Sequence, residues 1–151
     1  MDALNSMPGH LIRRAQQVHS ALFAEECGAF DLTSVQYAAL AAIRANPDVD
    51  ATRLSALIAF DRSTIGDVLT RLEAKGWVLR HPSQHDKRVK LLRLSPDGAE
   101  LLRRVDPVVH RVQERLLAPL GPDDQVTMTR LLTRLVEVHN DVLPVPLRAA
   151  E

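Results

Sequence analysis

Apolar residues recur three or four positions apart over most of the chain, which is the spacing that places side chains on one face of an α-helix. The first such stretch is GHLIRRAQQVHSALFAEECGA, after a lead segment that we expect to be disordered. Its apolar stripe consists of Leu11, Ala15, Val18 and Leu22. Gly28 is a plausible stop, so the pattern predicts a first long helix over about residues 7–28.

A second helix begins with strong local signals. Thr33 is a good N-cap and Gln36 follows three positions later, which is the spacing of a capping box. Leu32 and Tyr37 flank this start and can form a hydrophobic staple around it. The helix is predicted to run through SVQYAALAAIRAN and to end before Pro47.

Two shorter helices follow, separated by a tight polar turn. Asp50 is the predicted cap of ATRLSALIAF, and either Asp61 or Ser63 caps STIGDVLTRLEAKG. Gly76 terminates the second of these helices. Such a pair is a candidate helix-turn-helix, although many unrelated helical pairs share the pattern.

The next segment alternates between strand-like and loop-like character. WVLR and VKLLRL are strand-like, and the polar stretch HPSQHDKR lies between them. A hairpin placed directly after a helix-turn-helix is typical of the wing of a winged helix. The segment therefore makes the helix-turn-helix interpretation stronger.

Two long helices complete the chain. Ser95 and Pro96 supply a cap and a first-turn proline in the right order, while Pro107 lies inside this helix, where we predict a kink. The last helix begins near Pro122 and has an apolar stripe at Met128, Leu131, Leu132, Leu135, Val138 and Val142. This stripe covers more of the helix than one core face needs, which favours self-association, although packing within one chain is an alternative. The predicted fold is mainly α with a small β-wing.

Composition limits the class of protein. A chain of 151 residues with 46% hydrophobic residues fits one domain with one core, and 3% aromatic residues indicate an aliphatic core. The apolar runs are too short to span a bilayer and no signal-type segment is visible, so we expect a soluble, cytoplasmic protein without membrane partners. The single Cys27 cannot form an internal disulfide, in keeping with a reducing compartment.

The formal net charge of zero hides an asymmetry. Residues 61–93 hold eight Lys or Arg against four Asp or Glu, a net of +4, while each flank has a net of −2. One basic region on a slightly acidic body favours a polyanionic partner, although a solvated charged surface is the alternative.

The stretch DRSTIGDVLTRLEAKGWVLRHPSQHDKRVKLLRLSPDGAELL resembles the winged helix-turn-helix of MarR-type transcription regulators, including the wing motif Asp86-Lys87-Arg88. The resemblance spans nearly the whole chain. It implies a single domain over 1–151, with a winged helix-turn-helix DNA-binding region at about 33–94. Dimerisation helices at about 7–28 and 95–145 would make it a homodimer.

This resemblance implies a partner and the residues that meet it. The partner is double-stranded DNA, bound at a pseudo-palindromic operator whose half-sites are about one helical turn apart. The start of the recognition helix would contact bases and phosphates through Arg62, Ser63, Thr64 and Asp67. In the wing, Arg88 would enter the minor groove with Asp86 as its brace. The predicted phosphate contacts are Arg71, Lys75, Lys87 and Lys90.

Gly66 is an unusual residue for the interior of the recognition helix, where it costs about 1 kcal/mol relative to Ala. The missing side chain would let the backbone approach DNA or a neighbouring helix closely. A tolerated imperfection is the equal alternative.

The segments GHLIRRAQQVHSALF and FDLTSVQYAALAAI further resemble a branch of the family that responds to small aromatic carboxylates. The candidate ligand residues are His10, Arg14, Gln17, His19 and Tyr37. Arg14 offers a bidentate fork for a carboxylate, but it could equally snorkel or join an interface salt bridge. A histidine at position 19 is more often a core residue than a ligand, and the staple explains Tyr37 adequately.

Several other functions remain as alternatives. Cys27 suggests a redox sensor, but the neighbouring Glu25 and Glu26 raise a thiol pKa and make reactivity unfavourable. His81 and His85 suggest a metal sensor, but they lie in a loop with no further ligands, so we expect no metal and no cofactor. The sequence has no glycine-rich phosphate loop or nucleophile elbow, so we expect no enzyme activity. A winged helix that binds protein instead of DNA would leave the basic region unexplained.

Overall fold

A computed structural model of the protein describes residues 2–142, and most of them are helical. The helices are α1 (Asp2–Asn5), α2 (Pro8–Cys27), α3 (Ser34–Ala45), α4 (Ala51–Leu57), α5 (Arg62–Ala74), α6 (Pro96–Leu117) and α7 (Pro122–Val142). A 3-10 turn, Gly28–Phe30, joins α2 to the segment before α3. The predicted mainly α fold with a small wing is confirmed. The prediction of a disordered lead segment was wrong, because α1 forms there. Residues 143–145 of the proposed dimerisation region lie outside the described residues.

Three antiparallel strands form the small sheet. They are β1 (Val49–Asp50), β2 (Val78–Pro82) and β3 (Lys90–Leu94), in the order β1-β3-β2. The predicted hairpin is β2 and β3, with Arg80 opposite Leu92. β1 was not predicted, and it extends the hairpin by pairing Val49 with Leu92. The wing is therefore joined to the start of the helix-turn-helix by strand pairing.

Side-chain caps fix where the helices begin. Thr33 and Gln36 form the predicted capping box, with the Gln36 N–H donating to Thr33 Oγ1 at 3.2 Å and the Thr33 N–H donating to Gln36 Oε1 at 3.1 Å. Asp50 accepts from the Arg53 N–H at 2.8 Å, and Asp61 caps α5, which settles the choice left open between Asp61 and Ser63. Each cap satisfies backbone donors that the first helical turn leaves unpaired.

The core lies between the end of α2, α3, α4, α5, the sheet and α6, and it is mainly aliphatic. Its fully buried large side chains include Leu40, Ile43, Leu54, Ile65, Leu69, Leu72, Leu92 and Leu102. α6 begins directly against the chain before the wing, since a Cβ on Gly98 would collide with the Trp77 carbonyl. This close approach fixes α6 relative to the root of the wing.

α6 continues through Pro107 from its first residue to its last. The missing N–H of a proline removes one helical hydrogen bond. Because Val108 and Val109 directly after it are buried, the helix keeps its packing face across this point. The kink that we expect here stays a prediction.

Over residues 122–139, α7 has no packing face within its own chain. Between positions 122 and 139, every side chain is exposed except that of Gln125, which is half-buried. Large apolar side chains remain accessible on it, among them Leu131 at 46% and Leu135 at 48%. The alternative that these leucines pack inside one chain is therefore wrong. The apolar surface of α7 is free to pack against another molecule.

Among the described residues, no helix has both the length and the apolar character needed to cross a bilayer.

Candidate nucleic-acid interface

The recognition helix α5 has one buried and one exposed face. Ile65, Val68, Leu69 and Leu72 pack into the core. Arg62, Ser63, Gly66, Asp67 and Thr70 form the exposed face. Because these positions recur at helical spacing, they form one continuous strip that starts at the N-terminus of the helix. Three of the four predicted base-contacting residues, Arg62, Ser63 and Asp67, lie on this strip.

Thr64, the fourth predicted base-contacting residue, is half-buried and is held by the cap of α5. Its N–H and its hydroxyl both donate to the Asp61 carboxylate, each at 2.8 Å. These hydrogen bonds lower the pKa of Asp61 below its usual range, so the cap is ionised at neutral pH. The cap fixes the first turn of α5, from which Arg62 and Ser63 project.

Gly66 lies on the exposed strip with open space above it. A Cβ at this position would meet nothing within 4 Å, in contrast to Gly98. Close approach of a neighbouring helix within the chain is therefore excluded as a reason for this glycine. Close approach to DNA and a tolerated imperfection remain.

Gly66→Ala is expected to raise the free energy of unfolding by about 1 kcal/mol, because alanine is the better helix former and the added methyl group meets no obstacle. Urea denaturation measures this, and Gly98→Ala, whose methyl group collides with the Trp77 carbonyl, is the destabilised control. The same Gly66→Ala protein should bind operator DNA more weakly if the backbone of α5 approaches the duplex here. Unchanged operator affinity of Gly66→Ala would show that this glycine is a tolerated imperfection and not a point of close approach to DNA.

The tip of the wing presents one arginine held by one aspartate. Arg88 is 92% exposed, and its Nε lies 3.2 Å from Asp86 Oδ1, with Nη2 at 3.4 Å from Oδ2. The Arg88 N–H also donates to Asp86 Oδ1 at 3.0 Å. Hydrogen bonds from the Arg88 side chain lower the pKa of Asp86, so the carboxylate stays charged well below neutral pH. Asp86 thus holds both the backbone and the side chain of Arg88.

The loop between the two wing strands is closed by its own backbone. The Val89 N–H donates to the Asp86 carbonyl at 2.9 Å, and the Ser83 N–H donates to the Val89 carbonyl at 2.9 Å. Lys87 and Lys90 are exposed beside Arg88. The tip is thus a compact turn that carries three cations.

Ion pairs divide the eight cations of residues 61–93 into two groups. Four have carboxylate partners: Lys75 with Asp31, Arg80 with Glu73, Arg88 with Asp86 and Arg93 with Asp48. Within residues 2–142, the other four form no ion pair: Arg62, Arg71, Lys87 and Lys90. The uncompensated charge therefore lies on α5 and on the wing.

Lys75 differs from the other predicted phosphate contacts. Its ammonium group lies 3.1 Å from Asp31 Oδ2, donates to the Asp31 carbonyl, and stands 4.7 Å from the centre of the Trp77 ring. These contacts stabilise the junction of α5 with the segment before α3. A phosphate would have to compete with them.

The five candidate ligand residues do not converge within one chain. Arg14 donates to Gln17 at 2.6 Å, and both are exposed on α2, while the half-buried His10 contacts Arg13 at 3.2 Å. The other two lie elsewhere, on contacts with α6. His19 is 3.4 Å from Gln113, and the Tyr37 hydroxyl donates to Asp106 at 3.0 Å.

A cleft of about 710 Å³ opens between α2, the start of α3 and the end of α5. Its lining includes Ser20, Phe23, Thr33, Arg71 and Lys75. The cleft combines apolar surface and hydroxyl groups with Arg71 and with the ion pair of Lys75 and Asp31, so Arg71 is the cation in it that is left for a small organic anion. Sequence spacing did not indicate it, because its residues come from three segments far apart in the chain.

An ion pair between α3 and α6 was also not predicted. Asp106 accepts from Arg44 Nη1 at 2.7 Å as well as from Tyr37. Burial and the hydrogen bond to Asp106 raise the pKa of Tyr37, so its hydroxyl stays protonated and donates. Tyr37 therefore joins the recognition region to a predicted dimerisation helix instead of facing a cavity.

Cys27 is fully buried in the core. Burial, followed by the charge of Glu26, raises the pKa of its thiol. Because the thiolate is the reactive form, both effects disfavour oxidation. The structure gives no support to the redox alternative.

The two wing histidines have separate surroundings. His81 contacts Asp48 at 3.1 Å, and His85 is exposed. In the described part of the chain, no group of three His, Cys, Asp or Glu side chains could hold a metal ion.

Comparisons with known proteins agree with this geometry. A family model described as MarR family matches residues 30–89. The chain is 30% identical over 129 residues to the HTH-type transcriptional repressor NicR of Pseudomonas putida, covering 85% of this chain and 82% of that protein.

Two solved structures are similar over most of their length. BpsR of Bordetella bronchiseptica, studied for the regulation of its DNA binding by 6-hydroxynicotinic acid, has a TM-score of 0.82 at 28% identity, covering 87% of this chain and 94% of that one. A mutant of MarR from Escherichia coli in complex with operator DNA has a TM-score of 0.79 at 29% identity, covering 84% and 91%.

Proposed function

The chain belongs to the MarR family of transcriptional regulators, and on this basis we propose that it binds a pseudo-palindromic operator as a homodimer and leaves it when a small aromatic acid binds. It is a DNA-binding regulator and not an enzyme, as its relatives are regulators. One observation carries the operator proposal: the α5 strip and the side chain of Arg88 are both exposed in the same chain.

The strip and the wing would contact different grooves. Arg62, Ser63 and Asp67 at the start of α5 suit base edges and phosphates in the major groove. A guanidinium that is 92% exposed and held by a carboxylate suits the narrow, electronegative minor groove. Arg71, Lys87 and Lys90 suit the phosphates between the two grooves.

The homodimer is supported by the surface that one chain leaves uncovered. Beside the exposed apolar residues of α7, a groove of about 630 Å³ is lined by α2, α6 and α7. Leu11, His19, Leu116 and Leu132 are among its lining residues. A second copy packed here would cover these surfaces, and its two-fold axis would pair the two recognition helices with two half-sites.

The operator proposal is tested by fluorescence anisotropy on the DNA upstream of the protein's own gene. We expect tight binding that weakens steeply as salt rises, because cations that meet phosphates release counterions. A scrambled duplex of the same length is the control. No salt-dependent binding would support a winged helix that binds protein, and equal binding to both duplexes would contradict a specific operator in this DNA.

The effector proposal is supported by the cleft between α2, α3 and α5. Arg71 offers a two-pronged contact for a carboxylate, while Phe23 offers an apolar surface for a ring. Because the cleft joins α2 to the recognition helix, an occupant would favour one placement of α5 relative to the dimerisation helices. Release from DNA needs only a difference in affinity between two such placements.

A thermal-shift screen of hydroxybenzoates, hydroxycinnamates and hydroxynicotinates tests the effector without DNA. We expect a rise in melting temperature with at least one acid and its loss in Arg71→Ala. Retention in Arg71→Ala with loss in Arg14→Ala would place the acid on the outer side of α2 instead. No shift with any of these acids would remove aromatic acids as effectors.

A further inference from the structure

We propose that Asp48 is the residue that positions the wing on DNA, by fastening both wing strands to the turn before β1 so that Arg88 is presented at a fixed angle to α5. This inference rests on the proposed operator binding, and it concerns a residue outside both the recognition helix and the wing loop.

One carboxylate joins three segments. Asp48 lies in the turn between α3 and β1 and accepts two hydrogen bonds from Arg93 of β3, from Nε at 2.6 Å and from Nη2 at 2.5 Å. His81 of β2 lies on the same carboxylate, with Nε2 at 3.1 Å from Oδ1. Both strands of the hairpin are thus tied to the turn that precedes the helix-turn-helix.

The backbone of Asp48 holds the same strand. Its N–H donates to the Leu92 carbonyl at 3.0 Å, and the next residue, Val49, pairs with Leu92. Asp48 adopts a left-handed conformation with φ of 66°, which is uncommon for a residue other than glycine. A strained backbone with an ordered carboxylate is typical of a position that the surrounding structure fixes.

The charge of Asp48 persists at neutral pH. Hydrogen bonds from Arg93 lower the pKa of Asp48, and the charge of His81 acts in the same direction. The carboxylate therefore loses its charge only well below neutral pH. Because the pair is exposed, its contribution to folding stability is expected to be small.

The orientation of the wing tip depends on how the two strands behind it are held. Within residues 2–142, the Arg88 side chain has hydrogen bonds only with Asp86 of its own loop. Arg88 lies five residues before Arg93, at most about 17 Å of extended strand, so a tilt of about 10° at Arg93 moves the tip by up to about 3 Å. Such a displacement is as long as a hydrogen bond, and it takes Arg88 out of reach of the groove floor.

Asp48→Asn tests the proposal without disturbing the backbone, since asparagine adopts the left-handed conformation readily and has nearly the same shape. We expect operator affinity to fall about tenfold, with an unchanged melting temperature. In an Arg88→Ala background, the same substitution should have almost no further effect, because the wing tip then has no guanidinium to position. A purely structural role would not produce this dependence on Arg88.

Glu100→Gln is the matched control. Glu100 also accepts two hydrogen bonds from one arginine, Arg103, at 2.9 and 2.6 Å, but on the exposed surface of α6. Neutralising this carboxylate should leave operator affinity unchanged. Comparable losses in both variants would overturn the proposal, because the effect would then follow from the loss of any surface ion pair and not from the position of Asp48.

A measurement on the free protein separates this inference from the operator proposal. Amide hydrogen exchange over residues 78–94 should be faster in Asp48→Asn than in the wild type, since the two wing strands separate from the turn before β1 more often. Unchanged exchange, wild-type affinity of the variant, or an equal loss in the Arg88→Ala background would each overturn the role of Asp48. Absence of operator binding by the wild-type protein would instead overturn the operator proposal.

Discussion

Replacing Arg88 with alanine is expected to weaken operator binding about tenfold to a hundredfold, which corresponds to about 1–3 kcal/mol of lost contact. The guanidinium is 92% exposed and already oriented by Asp86, so little conformational freedom is lost when it enters the groove. The slope of log affinity against log salt should also decrease by about one, because one cation no longer displaces counterions. Anisotropy titrations at several salt concentrations measure both quantities.

Arg103→Ala is the control for Arg88→Ala. Arg103 is also an exposed arginine paired with a nearby carboxylate, that of Glu100, but it lies on α6 away from the wing. Its removal should change neither the affinity nor the salt slope. If Arg88→Ala behaves like Arg103→Ala, the wing makes no contact with the duplex.

Introducing charge on the apolar face of α7 is expected to have the second large effect. In Leu131→Glu/Leu135→Glu, two side chains that are 46% and 48% exposed in one chain would have to be buried as carboxylates in the homodimer. Burial of unpaired charge is costly, so the protein should become monomeric. Operator affinity should then fall about a hundredfold or more, because the two half-sites are no longer bound together. Light scattering after gel filtration and anisotropy measure the two effects.

Thr133→Glu serves as the matched control for the α7 variant. It adds a carboxylate on the opposite face of the same helix, where Thr133 is exposed and its hydroxyl donates to the Thr129 carbonyl at 2.9 Å. This protein should remain dimeric and bind DNA. A dimeric Leu131→Glu/Leu135→Glu protein would show that the interface lies elsewhere.

Much of the fold was predictable because its signals are local. Thr33 with Gln36, Asp50 and Ser95 are caps whose partners lie three residues away, so their roles can be inferred from adjacent residues. α1 and β1 escaped prediction because elements of four and two residues are too short to show a period.

In the candidate site, too, contacts between neighbouring residues could be predicted and contacts between distant residues could not. Asp86 and Arg88 are two residues apart, and their contact follows from the wing motif. Asp48 and Arg93 are 45 residues apart, and Arg44 and Asp106 are 62 apart, so their pairing depends on strand register and helix packing. Pro47 and Asp48 indicate a turn, but the sequence does not indicate which residues Asp48 contacts.

The candidate ligand residues show a further limit of prediction from the sequence. Helical spacing correctly places Arg14 and Gln17 on one side of α2, where they contact each other. Periodicity says which side chains share a face, but not what packs against that face. The cleft lined by Ser20, Phe23 and Arg71 could therefore be recognised only in the folded structure, where three distant segments come together.

The helices α2 to α6 and the sheet complete a hydrophobic core within one chain, whereas residues 122–139 of α7 contribute nothing to it. A newly made subunit can therefore fold its recognition helix before it meets a second copy. At concentrations below the dimer dissociation constant, the amount of protein able to occupy both half-sites grows with the square of the subunit concentration. The same operator would thus change from nearly vacant to nearly filled over a narrow range of protein abundance.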